Sequence, residues 1–161
     1  MAMRPRRQLA GLLICIAVCF AAAGLGGLVT TPNIPDWYAQ LAKPDWTPPG
    51  EVFGPVWGCL YLMMAISVWL VWRQNGLAAA RWPIGLFALQ LALNSVWSVL
   101  FFGLHSPGAA FLDIVLLWVA ILACTVTFWY RSRWASVLLF PYLAWVSFAA
   151  ALNFAIWRMN A

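Results

Sequence analysis

The chain has 161 residues, of which 65% are apolar and only 8% charged, where a soluble domain carries about 25% charged residues. That leaves too little polar surface to cover a water-soluble core, and runs of about 20 apolar residues are the mark of a membrane protein. A net charge of +5 would suggest nucleic acid in a soluble protein; here the basic residues sit in short connectors, where they report membrane orientation and predict no nucleic-acid partner.

Arg4, Arg6 and Arg7 precede a first apolar run, Leu9 to Val29, with Ala21, Ala22 and Ala23 near its middle. A basic head, an apolar core and small residues also describe a secretory signal. The run continues to Val29, however, long for a signal core and adequate for a span, and we read it as a helix. From Thr30 to Gly50 the character changes: Pro32, Pro35, Pro44, Pro48 and Pro49 predict that the helix ends, and Asp36, Lys43 and Asp45 are polar. A long connector in a compact protein is more often functional than idle, and Trp37, Tyr38 and Trp46 predict that loop 30–50 folds over the mouth of a bundle. Four more spans follow at 51–72, 82–104, 107–130 and 134–157. Their connectors are short (Arg73 to Arg81, His105 with Ser106, Arg131 to Arg133), so neighbouring spans run antiparallel. The expected fold is an all-α membrane protein, a five-transmembrane-helix bundle forming a single domain over 1–161.

Arg4, Arg6, Arg7, Arg73, Arg81, Arg131 and Arg133 fall on one side of such a bundle, against Lys43 and Arg158 on the other. This bias puts the N-terminus in the cytoplasm and the long loop and C-terminus outside, as in a bacterial inner (cell) membrane. Cys15, Cys19, Cys59 and Cys124 lie inside apolar runs with no metal-ligand spacing, and predict packing.

There are twelve tryptophans. Trp69, Trp72, Trp82, Trp129 and Trp134 fall at cytoplasmic span ends, and Trp37, Trp46 and Trp157 at or beyond the outer ends, as interfacial belts require. Trp57, Trp97, Trp118 and Trp145 sit too deep for a belt, roughly 9 to 17 Å below the outer ends at 1.5 Å per residue. Polar residues share that half. Gln90, Asn94 and Ser98 recur every fourth residue on one face of span three, Asn153 lies on a face of span five with Ala149 and Trp145, and Asp113 is intramembrane. An intramembrane carboxyl faces the bundle interior, either as a functional group or in a helix-to-helix hydrogen bond. Aromatic walls with a few polar groups suit a pocket for a flat apolar ligand; the alternative is that the rings fill the core. His105, the lone histidine, reads as a solvent group, and no motif for a metal, a phosphate or paired carboxylates is present. Any chemistry would run through tryptophan, tyrosine or the ligand.

The segment Trp37-Tyr38-Ala39-Gln40-Leu41-Ala42-Lys43-Pro44-Asp45-Trp46-Thr47-Pro48-Pro49 resembles the first-loop signature of the translocator protein family, also called tryptophan-rich sensory protein, TspO or peripheral-type benzodiazepine receptor. The likeness continues through Gly54-Pro55-Val56-Trp57-Gly58, Leu60-Tyr61, Gln90-Leu91-Ala92-Leu93-Asn94 and Phe101-Phe102-Gly103. It resumes at Pro141-Tyr142-Leu143-Ala144-Trp145, Leu152-Asn153 and Trp157-Arg158. The resemblance, to a bacterial-type member, implies a five-helix bundle, commonly a homodimer, with a ligand cavity closed by the first loop; it also implies that the first run is retained. Members bind porphyrins such as protoporphyrin IX, drugs of the benzodiazepine and isoquinoline types, and in animals cholesterol. By the same resemblance Trp57 and Trp145 match two tryptophans implicated in photo-oxidative porphyrin breakdown. Trp97, Asn94, Ala149 and Leu152 match other pocket positions, and Trp37 and Trp46 belong to the covering loop.

Two departures stand out. Leu152, Phe154 and Arg158 occupy the frame of the animal sterol motif with Phe in place of Tyr, which weakens an already weak pattern. Glu51 stands where members often carry another tryptophan, at the outer start of span two. The leading expectation is a membrane binder of porphyrins and other flat hydrophobic small molecules, in contact with lipid, with no cofactor beyond that ligand and a sensory role in tetrapyrrole or stress metabolism. The alternatives are light- and oxygen-dependent porphyrin degradation and transport of a porphyrin or lipid, although five spans without repeated halves are unlike a transporter. A topology reporter fused to the C-terminus is expected to be active outside the cytoplasm; a cytoplasmic signal would reverse the orientation.

Overall fold

A computed structural model describes residues 5–161. Arg4 lies outside the described residues, and of Arg6 and Arg7 only the helical backbone is described. The chain is helical: α1 (Pro5–Asn33) continues into a π-turn (Ile34–Tyr38), and α2 (Gly50–Ala79) and α3 (Arg81–Ser98) follow. A second π-turn (Val99–Gly103) leads to α4 (Pro107–Trp129), α5 (Arg133–Val137) and α6 (Phe140–Met159). Five segments are long and apolar enough to cross a membrane: Gln8–Tyr38, Gly50–Gln74, Arg81–Gly103, Pro107–Trp129 and Arg133–Met159.

Hydrocarbon offers backbone groups no water, so spanning segments satisfy their polar groups internally. That rule overturns the expected loop 30–50. Pro32 and Pro35 lie inside the helical segment, which runs on to Gln40, and only residues 41–49 leave the helix. Each proline removes an N–H donor, and the wider i→i+5 turn reaches past the gap to a later donor; the Ala39 N–H returns to Ile34 O. Asn33 Nδ2 donates to Val29 O at 2.8 Å. Lys43 then closes the segment, its Nζ donating to the carbonyls of Tyr38 at 2.7 Å and Leu41 at 3.0 Å and lying 4.7 Å from the Tyr38 ring centroid. Both effects are favourable at a helix C-terminus.

Two other boundaries move. The expected connector Arg73 to Arg81 is helical as far as Ala79, with its direction changed at Gly76, where φ is 73°, a conformation that suits glycine. Span five is divided in two at Leu138–Leu139. Pro141 in the first turn of α6 cannot continue a helix from α5, because its ring clashes with the carbonyl of the residue four before it.

Around the bundle, α1 lies between α2 and α3, α3 packs on α4, and α4 packs on α5 and α6; α2 meets α5 and α6 to close the ring. Without a hydrophobic drive between helices in lipid, close approach at small residues and interhelical hydrogen bonds hold such a bundle. At Gly11 a Cβ would fall 2.7 Å from Trp72 Cζ3, so the Trp72 ring of α2 lies this close to α1 because none is there. The arginine-bearing end is tied by side chains bonded to backbone or to one another. Trp69 Nε1 donates to Gln8 O at 3.0 Å, Ser67 Oγ to Ala135 O at 2.6 Å, Ser136 Oγ to Thr125 O at 2.8 Å and Gln74 Nε2 to Ser132 Oγ at 3.1 Å. Cys15, Cys19 and Cys124 are buried in the core, while Cys59 is exposed on α2.

At the opposite end, Asn160 clasps the 41–49 loop: Ala42 N donates to Asn160 Oδ1 at 3.0 Å, and Asn160 Nδ2 donates to Ala42 O at 2.9 Å. Replacing Asn160 with Ala is expected to speed amide exchange at Ala42 by about fivefold, the equivalent of one hydrogen bond. Hydrogen-exchange mass spectrometry checks this, and unchanged exchange would show that the clasp does not hold the loop.

Candidate ligand-binding site

The core has two parts. The larger cluster runs through the bundle and includes Tyr61, Met64, Leu91, Ile114 and Tyr142, with Trp57, Trp145 and Ala149 packed against it. A smaller cluster at the loop end is built on Phe101, Phe102, Ala110, Leu152 and Ile156, with Trp37, Tyr38, Phe53 and Phe148 against it. Trp97 packs on both.

A hydrogen-bonded knot lies at the upper edge of the larger cluster. Tyr61 Oη donates to Asn94 Oδ1, and Asn94 Nδ2 donates to Tyr142 Oη at 3.1 Å, joining α2, α3 and α6 through buried groups. Trp57 lies over the knot, 5.7 Å from the Tyr61 ring and 6.2 Å, edge-on, from Tyr142. One turn beyond Asn94, Trp97 Nε1 donates to Asn153 Oδ1 at 2.9 Å, while Asn153 Nδ2 donates to Pro107 O at 2.8 Å. That pair fastens α3 and α6 to the start of α4. Trp97 stacks on Phe101 at 5.1 Å and meets Phe102 edge-on.

Trp145 completes the wall. Phe53 meets it edge-on at 5.8 Å and Phe148 lies 5.5 Å away. Trp46 of the 41–49 loop in turn contacts Phe148 at 5.7 Å and is 50% exposed. The Trp145 Nε1–H is buried and has no hydrogen-bond partner among the described residues. Indole N–H groups usually find an acceptor when buried, and leaving one unpaired costs about 1–3 kcal/mol.

Trp37 lies in the π-turn, edge-on to Phe101 at 5.4 Å and stacked on His105 at 4.4 Å and 13°. His105 is exposed, as expected of a solvent group, and it also acts as a latch, with its Nε2 donating to Asn33 Oδ1 at 2.8 Å and its backbone at a positive φ of 50°. Trp118 separates from the other deep tryptophans: its Nε1 donates to Ser147 Oγ at 2.8 Å in an α4–α6 contact near the surface. The sterol-like frame does not converge on one surface, because Leu152 is buried while Phe154 and Arg158 are exposed. Asp113 is 6% exposed, its Oδ2 has no partner among the described residues, and the helix-to-helix hydrogen bond considered for it is not made. Gln90 reaches only Met64 Sδ, at 3.8 Å, and its Oε1 is unpaired.

The structure thus gathers Trp57, Asn94, Trp97 and Trp145, with Ala149 and Leu152 on the same helix as Trp145, near the junction of the two clusters, while Trp37 approaches from the first π-turn and Trp46 from the 41–49 loop. Phe53, Phe101 and Phe148 complete the wall and were missed by sequence reasoning. Phe101 lies four residues after Trp97, and Phe148 three after Trp145, so helical spacing alone was enough to add them.

Five apolar spans around an aromatic core with a few polar edges define a polytopic helical membrane protein. The sequence pattern of the TspO/MBR family matches residues 15–158, and the chain belongs to that family. It is 43% identical to the tryptophan-rich protein TspO of Chlorobaculum tepidum, over 96% of this chain and 98% of that one. Against TspO of Archaeoglobus fulgidus the identity is 41% over 96% and 97% of the two chains. Against the human translocator protein it is 46% over 77% of this chain and 75% of that one.

Because Asn94 satisfies two buried hydroxyls, Asn94→Ala is expected to cost about 2–4 kcal/mol, against about 1 kcal/mol for Tyr61→Phe. Thermal melts in detergent compare the two; equal losses would mean that the knot carries no special weight.

Proposed function

We propose that the chain binds a porphyrin-like tetrapyrrole, or another flat hydrophobic molecule, at the junction of the two aromatic clusters, and that it serves a sensory role in tetrapyrrole or stress metabolism. The observation that carries the reading is the unpaired, buried Nε1–H of Trp145, set between Phe53 and Phe148. A ligand acceptor would satisfy that donor, and the surrounding ring faces and edges suit a planar π-system, each stack contributing about 0.5–1.5 kcal/mol beyond area burial. Trp57, above the Tyr61–Asn94–Tyr142 knot, offers a second aromatic surface, and Trp46, half-exposed against Phe148, offers a third from the loop. Acidic ligand groups would remain at the loop end, where Lys43 and Arg158 supply the positive charge.

The reading includes a bacterial inner membrane with the N-terminus in the cytoplasm, supported by the arginine bias, and a homodimer, as is common in the family.

Titration of the purified protein with protoporphyrin IX, followed by tryptophan fluorescence, tests the site. Trp145→Phe keeps the ring bulk and removes the donor, and is expected to weaken binding by about fivefold or more. Trp57→Phe is expected to weaken it to a similar degree through lost stacking. Wild-type affinity in both variants would remove the site from this junction.

A further inference from the structure

At the arginine-bearing end, between α4 and the α5–α6 pair, lies a groove of about 300 Å³ whose walls include Leu122, Val126, Trp129, Tyr130, Phe140 and Leu143. Its volume is at the lower end of the roughly 300–1,000 Å³ of small-molecule pockets. Two polar side chains also line it, Thr125 and Ser136, and both hydroxyl protons are already committed. Thr125 Oγ1 donates to Ile121 O at 2.7 Å and Ser136 Oγ to Thr125 O at 2.8 Å. Thr125 and Ser136 therefore offer the occupant no free proton, and the rest of the lining is hydrocarbon apart from the polar edges of Trp129 and Tyr130, both exposed. Along α4 it extends from Leu122 to Trp129, about 10 Å at 1.5 Å per residue.

Its mouth has a different character. Trp129 and Tyr130 are 42% and 82% exposed, aromatic residues of the kind that settle at headgroup depth. The Arg133 guanidinium lies 5.5 Å from the Trp129 ring centroid, and Arg131, exposed, is two residues away. The carboxylates of the chain are Asp36, Asp45, Glu51 and Asp113, and every one belongs to the loop end or the adjacent half of a span. Nothing anionic in the sequence near this mouth neutralises the two arginines.

An apolar slot under an uncompensated pair of arginines, flanked by interfacial aromatics, is complementary to a molecule with a hydrocarbon tail and a phosphate head. Guanidinium groups match phosphate oxygens in geometry as well as charge, and basic pockets between spans hold anionic headgroups in this way. We infer that the groove holds one acyl chain of an anionic glycerophospholipid whose phosphate is bound by Arg131 and Arg133. This site lies at the opposite end of the bundle from the aromatic junction and stands independently of the ligand assigned there.

The test is native mass spectrometry of the full-length protein in detergent, with phosphatidylglycerol and phosphatidylcholine supplied at equal concentration. The wild type is expected to retain one phosphatidylglycerol in preference to phosphatidylcholine. R131Q/R133Q is expected to lose about thirtyfold in retention, roughly fivefold per arginine. V126W, a lipid-facing change that fills the slot and leaves both arginines in place, is expected to lose it too, whereas R73Q/R81Q, at the same end but away from the groove, should keep the preference. Equal retention of phosphatidylcholine, or an equal loss in R73Q/R81Q, would reduce the effect to general charge attraction and overturn the site. So would a V126W protein that keeps its phosphatidylglycerol but dissociates a dimer, because the groove would then seat a second copy.

Discussion

Every backbone N–H and C=O within the hydrocarbon must find its partner inside the protein, and the form of this bundle follows from meeting that demand in a sequence with ten prolines. In water Pro32 and Pro35 would end a helix and release the chain into a loop. Here the helical path continues through a π-turn, with the Asn33 amide and the Lys43 ammonium binding backbone carbonyls near its end. The 41–49 connector is short as a consequence, and the aromatic residues Trp37 and Tyr38 are set on a helical turn against Phe101 and Phe102.

The same demand extends to side chains. Buried hydroxyls and amides are used where they can be paired: Asn94 serves two tyrosines, and Asn153 serves a tryptophan and a helix-start carbonyl. Against that economy the unpaired atoms are few among the described residues, namely Gln90 Oε1, Asp113 Oδ2 and Trp145 Nε1. An unsatisfied buried group costs more than a typical hydrogen bond gains. Of the three, only the Trp145 indole stands in an aromatic wall, between Phe53 and Phe148, that a planar ligand could complete.

Composition and apolar run length were enough to read five spans, because the membrane imposes a length on each helix whatever else the sequence encodes. Position along the spans set Trp57, Trp97 and Trp145 apart from the expected belt, and all three pack against the core. It could not separate Trp118, since depth says nothing about rotation around the helix axis, and that indole bonds Ser147 near the surface. The prolines misled for a physical reason: their rule was learned where water competes for the backbone, and lipid withdraws the competitor. His105 was illegible because its role depends on Asn33 and Trp37, partners distant in sequence. The division of span five was foreshadowed by Pro141, which marks the first turn of a new helix as clearly as it forbids the middle of an old one.

The two ends of the bundle differ in the regularity of their backbone and in the share of aromatic contacts. At the arginine end, Trp69, Ser67, Ser136 and Gln74 bond across elements to backbone or to a hydroxyl, and each link joins regular helices or a tight turn. Moving any of those helices would break one of these hydrogen bonds. The loop end adds many ring contacts to its own hydrogen bonds, from Asn160 to Ala42, His105 to Asn33, and Asn153 to Trp97 and Pro107, and both π-turns and the positive-φ residue His105 lie there. Ring contacts are broad in orientation and can be exchanged for contacts with another ring at little net cost, and π-turns within helices recur where function needs irregular backbone. A flat aromatic guest entering beside Trp46 and Phe148 would replace like with like. The bias that places most of the arginines at one end and the four acids toward the other therefore coincides with a difference in backbone, regular helices at one end and π-turns with clustered rings at the other.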